Sequence, residues 1–198
     1  MTIEMMNNVI AIDGLSGAGK TTLAKQLMSK YPGSLYVKCP FCNSVFGGTR
    51  DKFLGRELDP IVSHLIFAAD MRQALIEQVI PYIGTERLII LDRYITASYA
   101  RAYADCLDHD FVMATLSQIT DNFRLVPRRT YILDADPVLL FERCNKRNDA
   151  VDFIETKSVT WQNALREGYR SATTKKEFGD IVILDATDPT TLIDRVCI

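Results

Sequence analysis

Long apolar runs are missing from this chain of 198 residues. A helix that crosses a bilayer needs about 20 consecutive apolar residues, so a membrane-spanning protein is not expected. Strong charge of either sign is missing too, since 23 Lys and Arg stand against 25 Asp and Glu. That balance offers no electrostatic footprint for nucleic acid or an anionic membrane surface. Cysteine is sparse and odd in number at five, which argues against a disulfide framework and points to a reduced, cytoplasmic protein. Glu4, Asn7 and Asn8 precede the first apolar segment, so no secretion signal is expected. Repeats and low-complexity stretches are absent as well, and the expected organisation is one domain over 1–198.

Zinc ligation is only half provided. Cys39-Pro40-Phe41-Cys42 is a C-x-x-C pair, but neither a second such pair nor an H-x₃₋₅-H accompanies it. A thioredoxin-like pair would open a helix in its own βαβ unit. This one follows an expected strand, in a loop that would face substrate, so incidental thiols, a redox pair and a metal half-site all stay open.

What is present is alternation. Strand-like runs fall at Val9–Asp13, Ser34–Cys39, Arg87–Asp92, Arg129–Leu133 and Ile181–Leu184, with helical patterns between them. Leu88-Ile89-Ile90-Leu91 is apolar throughout, as a strand buried on both faces requires. A long helix is expected over Ile61–Tyr82, shorter ones near 95–105, 110–122 and Thr156–Lys175, and Asp136-Pro137 and Asp188-Pro189 each read as a helix start. Five strands separated by helices imply an α/β fold: a five-stranded parallel sheet with helices on both faces. Ligands bind such sheets at the carboxyl ends of the strands, where Asp13, Cys39, Asp92 and Asp134 fall.

The first strand leads directly into Gly14-Leu15-Ser16-Gly17-Ala18-Gly19-Lys20-Thr21, a complete G-x-x-x-x-G-K-T loop. Glycine lets the backbone turn its N–H groups inward and keeps side-chain bulk away from an approaching phosphate. The cofactor-binding set is therefore Gly14, Ser16, Gly17, Ala18, Gly19, Lys20, Thr21 and Thr22. Lys20 would meet the β/γ-phosphates and Thr21 would offer its hydroxyl to Mg²⁺, while the following helix aims its positive end at the anion. This is a P-loop NTPase pattern, with ATP and Mg²⁺ as the expected cofactors.

Asp92 ends the apolar third strand and is the expected second Mg²⁺ residue. A hydrolytic ATPase commonly places Glu next, whereas here Arg93 follows, a cation suited to stabilising transferred phosphoryl charge. Arg143, Lys146 and Arg147 cluster at a helix end and read as the start of a small lid over about 143–155. Asn145-Lys146-Arg147-Asn148 falls short of the guanine-reading N-K-x-D, which favours ATP as donor.

Ile12-Asp13-Gly14 with its loop, Phe67-Ala68-Ala69-Asp70, Asp92-Arg93-Tyr94 with Ser98, Leu133-Asp134-Ala135-Asp136-Pro137 and Asp185-Ala186-Thr187 together resemble the thymidylate kinase family over nearly the whole chain. The resemblance implies Lys20, Asp92 and Arg93 as catalytic residues, to which the lid reading adds the cations Arg143 and Arg147. It implies Phe67 stacking on the acceptor base, Ser98 beside the Asp-Arg-Tyr run, and a homodimer packed through long helices; Arg72, Arg101 and Tyr103, which depart from the family pattern, are further acceptor candidates. The departures cluster on the acceptor side. Ser16 replaces an acid, Lys38-Cys39-Pro40-Phe41-Cys42 replaces Arg-Glu-Pro-Gly-Gly, and Met71 stands where an acceptor-binding Arg is usual. Arg72 is one residue on, turned about 100° round the helix. The expected activity is γ-phosphoryl transfer from ATP to a small-molecule acceptor, dTMP or a related pyrimidine nucleotide. A nucleoside or other hydroxyl-bearing acceptor is the alternative, and a nucleotide-binding regulatory ATPase is the third reading.

Overall fold

A computed structural model describes residues 6–39, 58–146 and 157–198. Five strands, β1 (Met6–Gly14), β2 (Leu35–Lys38), β3 (Ile89–Asp92), β4 (Pro127–Asp134) and β5 (Ile181–Asp185), form one sheet in the order β2-β3-β1-β4-β5. Every pairing is parallel, as expected from the alternation of strands and helices. The register sets Ile12 beside Asp92, Lys38 beside Asp92, and Gly14 beside Leu133. Asp92 and the start of the G-x-x-x-x-G-K-T loop thus share the carboxyl edge.

Side-chain alternation along β1 divides the core into two layers. Ile10 and Ile12 face one cluster with Leu23 and Leu27 of α1 (Lys20–Lys30), Leu140 of α5 (Pro137–Asn145), and Leu165 and Tyr169 of α6 (Val159–Ala172). Val9 and Ala11 face the other, with Met71 and Ala74 of α2 (Pro60–Ala74), Ile95 and Tyr99 of α3 (Ile95–Ala104), and Leu116 of α4 (His109–Ile119). Helices therefore cover both faces of the sheet. α3 and α6 approach closely because Gly168 has no Cβ: one added there would lie 2.7 Å from the Ala100 carbonyl oxygen.

Caps explain most helix starts. Asp59 accepts the Ile61 and Val62 N–H groups, Asp108 that of Phe111, Asp136 that of Val138, and Ser158 that of Trp161. α1 has no side-chain cap and enters through left-handed Gly19, so its first amides are left for an anion.

Departures from the sequence expectation include three helical segments. The long helix over Ile61–Tyr82 is α-helical only to Ala74, then widens to a π-turn at Leu75–Val79 and tightens to a 3₁₀ turn at Ile80–Tyr82. Pro81 is the cause: it has no N–H for the Glu77 carbonyl, and its ring crowds that turn. The helix expected to reach 122 stops at Ile119, because Asp121, Asn122 and Phe123 all take positive φ. The helix opened by Asp188-Pro189 is 3₁₀ throughout, Pro189–Arg195. Arg147 and most of the expected lid lie outside the described residues, as do Cys42 and nearly all of the loop after Cys39.

Candidate active site

The loop between β1 and α1 is built on backbone that only glycine tolerates easily. Gly17 takes φ +84°, and a Cβ there would stand 2.5 Å from the Leu140 carbonyl oxygen of α5. Lys20, the first residue of α1, is buried and donates from Nζ to the Leu15 carbonyl at 2.7 Å, which folds its charge into the loop. Thr21 Oγ1 donates to Asp92 Oδ2 at 3.1 Å, so the helix start and the end of β3 meet as the two metal candidates should. Ser16 lies half-buried on the loop and Thr22 exposed on α1.

The carboxylate of Asp92 is asymmetric. Oδ2 takes both Thr21 and the Tyr36 hydroxyl, the latter at 2.6 Å, whereas Oδ1 is buried with no hydrogen-bond partner among the described residues. A buried orphan acceptor costs stability unless a ligand satisfies it. A hard cation would do so: Mg²⁺ prefers oxygen ligands and keeps several of its waters. The residues present therefore fit the metal.

Arg93 stands at the next position in a left-handed conformation, φ +73°, with its N–H on the Ile12 carbonyl at 3.0 Å. Its guanidinium reaches back to the Gly14 carbonyl at 3.2 Å and the Tyr169 hydroxyl at 3.4 Å. The cation is thus held at the mouth of the phosphate loop. Fully buried Asp13 shapes this elbow by accepting the Tyr94 N–H at 3.0 Å and the Thr96 hydroxyl. Burial raises the Asp13 pKa to about 7, against the opposing pull of Arg93. Burial likewise pushes the Tyr169 phenol above its usual range, so it is a neutral donor to the Gly14 carbonyl at 3.3 Å.

The acceptor candidates separate. Phe67 and Arg101 meet, the guanidinium lying 4.2 Å from the ring centroid, a cation–π contact. Arg101 also donates to Ser63 Oγ at 2.8 Å and pairs with Asp105 at 3.7 Å. Ser98, one turn earlier on α3, is buried with an unpartnered hydroxyl. Arg72 instead donates to the Ile119 carbonyl at 3.1 Å, closing the end of α4. Tyr103 is 45% exposed and lies beside Gly168 of α6, on the other side of α3 from Arg101. Arg143 donates to the carbonyls of Ala186 (2.8 Å) and Thr187 (2.5 Å), tying α5 to the loop after β5.

Sequence reading missed several participants. The sequence places Asp13 at the carboxyl edge, within Ile12-Asp13-Gly14, without a role of its own; Tyr36 falls in no motif, and Tyr169 reads as one more apolar-face position of an amphipathic helix. Arg166 and Arg170 of α6 also went unnoticed. Burial works against ionising Asp134, but hydrogen bonds from Arg166 (2.6 and 3.0 Å) and Arg170 (3.0 Å) outweigh it and hold its pKa below the usual carboxylate range. Their i, i+4 spacing was the only available signal. Among the described residues no three His, Cys, Asp or Glu side chains form a metal-binding group, and buried Cys39 ties its N–H to the Asp92 carbonyl. No described helix is long and apolar enough to cross a membrane.

A parallel sheet with a phosphate-binding loop, a Lys-Thr pair, a strand-end Asp and an adjoining Arg defines a P-loop phosphotransferase. The thymidylate kinase family model matches residues 12–196. Thymidylate kinase of Onion yellows phytoplasma (strain OY-M) is 27% identical over 192 residues, covering 91% of this chain and 89% of that protein. That of Clostridium novyi (strain NT) is 30% identical over 170 residues, covering 81% and 82%. The crystal structure of thymidylate kinase from Ehrlichia chaffeensis superposes with TM-score 0.68 over 93% of this chain and 92% of that one; at 18% identity this shows the shared fold. The chain belongs to the thymidylate kinase family, and it is an ATP-dependent nucleotide kinase. Membership favours a nucleotide acceptor over the nucleoside and regulatory readings.

Proposed function

We propose that the chain transfers the γ-phosphoryl group of ATP to dTMP. The observation that carries the phosphoryl-transfer reading is the contact of Arg93 with Gly14, which joins a cation at the end of β3 to the first residue of the phosphate loop. The acceptor rests on the family and on the names its relatives bear. Lys20 would exchange its Leu15 carbonyl for donor phosphate oxygens, and the uncapped amides of α1 would complete the cradle. Thr21 and the Oδ1 of Asp92 would hold Mg²⁺, which when bound supplies charge neutralisation to the β- and γ-phosphates. Arg93 would stabilise charge on the transferred group, and Arg143 and Arg147 would serve at the lid side.

Phe67, Ser98 and Arg101 form the acceptor wall in this reading, while Arg72 serves α4 and Tyr103 lies on the α6 side. Ile61, Val62, Leu65, Ile76 and Ile80 leave an apolar stripe 40–48% exposed along α2 and the turns after it, and we assign it to a second copy of the chain. Sedimentation that gives a monomer at micromolar concentration would remove this assignment. The four cysteines among the described residues form no disulfide with one another, which supports a reducing, cytoplasmic setting.

The test of the activity is ADP release from Mg-ATP with no acceptor, with thymidine and with dTMP. Release that requires dTMP is expected. Equal release without any acceptor would instead identify a hydrolase.

A further inference from the structure

Tyr36 lies on β2 directly opposite Ile90 of β3. Partners in register point to the same side of a sheet, so Tyr36, Ile90 and, two residues on, Asp92 share one face. The Tyr36 ring packs against the core layer that contains Ile90. Its hydroxyl extends to the carboxyl edge and donates to Asp92 Oδ2 at 2.6 Å. Three elements therefore converge on one carboxylate: Thr21 from α1, Tyr36 from β2, and Asp92 itself from β3.

The arrangement has a directional consequence. Two donors on Oδ2 fix the carboxylate plane, and Oδ1 is left as its one unpartnered acceptor, buried. When Thr21 turns a lone pair to a cation, its proton still needs Oδ2, so the Thr21 contact alone is a movable hold. Tyr36 is anchored through its packed ring. A neutral phenol also adds no charge that would repel a cation. We propose that Tyr36 is a positioning residue for the divalent metal: it locks Asp92 so that Oδ1 is presented to Mg²⁺. This rests on the reading of Thr21 and Asp92 as the metal residues.

The competing role is a plain tie between β2 and β3, and metal affinity separates the two. Tyr36→Phe keeps the ring and removes the hydroxyl. ADP affinity is measured calorimetrically with EDTA and across a Mg²⁺ titration, and Mn²⁺ bound to the ADP complex is counted by electron paramagnetic resonance. Losing an outer-shell partner of a metal ligand typically costs 10- to 100-fold in metal affinity. The expected result is a drop of about tenfold or more in Mg²⁺ and Mn²⁺ affinity, with metal-free ADP affinity within about twofold of the parent. Val37→Ala controls for loosening of β2, because buried Val37 belongs to the other core layer. It should lower the melting temperature and leave metal affinity unchanged. Unchanged metal affinity in Tyr36→Phe, or an equal loss in Val37→Ala, overturns the proposal. If the unsubstituted protein shows no Mg²⁺-dependent tightening of ADP, or Asp92→Asn retains it, the metal reading fails first and Tyr36 falls with it.

Discussion

Asp13 accepts the backbone N–H of Tyr94 at 3.0 Å, so the carboxylate near the end of β1 grips the residue just after Arg93. The residue before the phosphate loop and the residue after the Arg93 cation are thereby one unit. Arg93 is tied to β1 on its other side as well, through the Ile12 carbonyl. Between those two ties it is held at φ +73°, a conformation that costs a residue with a Cβ about 1–2 kcal/mol. Local strain of this kind persists where surrounding bonds over-determine it.

That geometry makes Arg93 separable into backbone and side chain. Arg93→Gly should be more stable than Arg93→Ala by about 1 kcal/mol in urea unfolding, since glycine relieves the positive φ. Both should lose about a hundredfold or more in kcat, because both lack the guanidinium. Equal stability of the two variants would show that the elbow is not strained. Full turnover in either would remove Arg93 from the chemistry.

Asp13 should leave a mark on stability against pH. Its folded pKa, about 7, lies above the ordinary 3.8 because burial disfavours the charged form. The folded state therefore holds a proton that the unfolded chain has released. The Asp13 contribution to stability falls as pH rises from about 4 to about 7 and is flat above that. In Asp13→Asn this slope is absent. The stability difference between the two proteins should change by roughly 3 kcal/mol between pH 5 and pH 8, in the direction that favours the Asn variant at high pH. Asp134, Asp185 and Asp188 are shifted downward and act only at lower pH, so they do not mask the effect. Parallel pH profiles would contradict the assignment.

The sheet and the donor side of the site were legible because they are written in short segments. Leu88 to Arg93 carries a buried strand, its terminal carboxylate and a cation in six consecutive positions, and Gly14 to Thr21 carries the loop. The acceptor side depends on which way helices face. The one-residue offset of Arg72 turns it about 100° from the usual acceptor position, but the sequence does not say that it meets the Ile119 carbonyl while Arg101 lies on Phe67. Tyr36 and Tyr169 were illegible for a related reason: each acts through a hydroxyl brought in by tertiary packing over 56 and 155 positions of chain. The π-turn at Leu75–Val79 could have been anticipated, because Pro81 forbids a regular helix there.

The two arginines should therefore behave differently. Arg72→Ala should lower the melting temperature by removing a charged donor from the end of α4, with the acceptor KM within about twofold. A hydrogen bond from a charged group is worth about 1.5–3 kcal/mol. Arg101→Ala should raise the acceptor KM about tenfold or more and leave the ATP KM nearly unchanged, as loss of a charged contact on one substrate would. Steady-state kinetics with each substrate varied decides between them. An acceptor KM that rises in Arg72→Ala and not in Arg101→Ala would reverse the assignment of the acceptor wall.

The claim on which the rest depends is that the acceptor already carries a phosphate. The direct measurement is the identity of the product when the protein is incubated with Mg-ATP and equimolar thymidine and dTMP, read by phosphorus magnetic resonance. Formation of dTDP, with the two phosphorus signals of a diphosphate and consumption of dTMP alone, is the predicted result. Conversion of thymidine to dTMP with no diphosphate formed would contradict it.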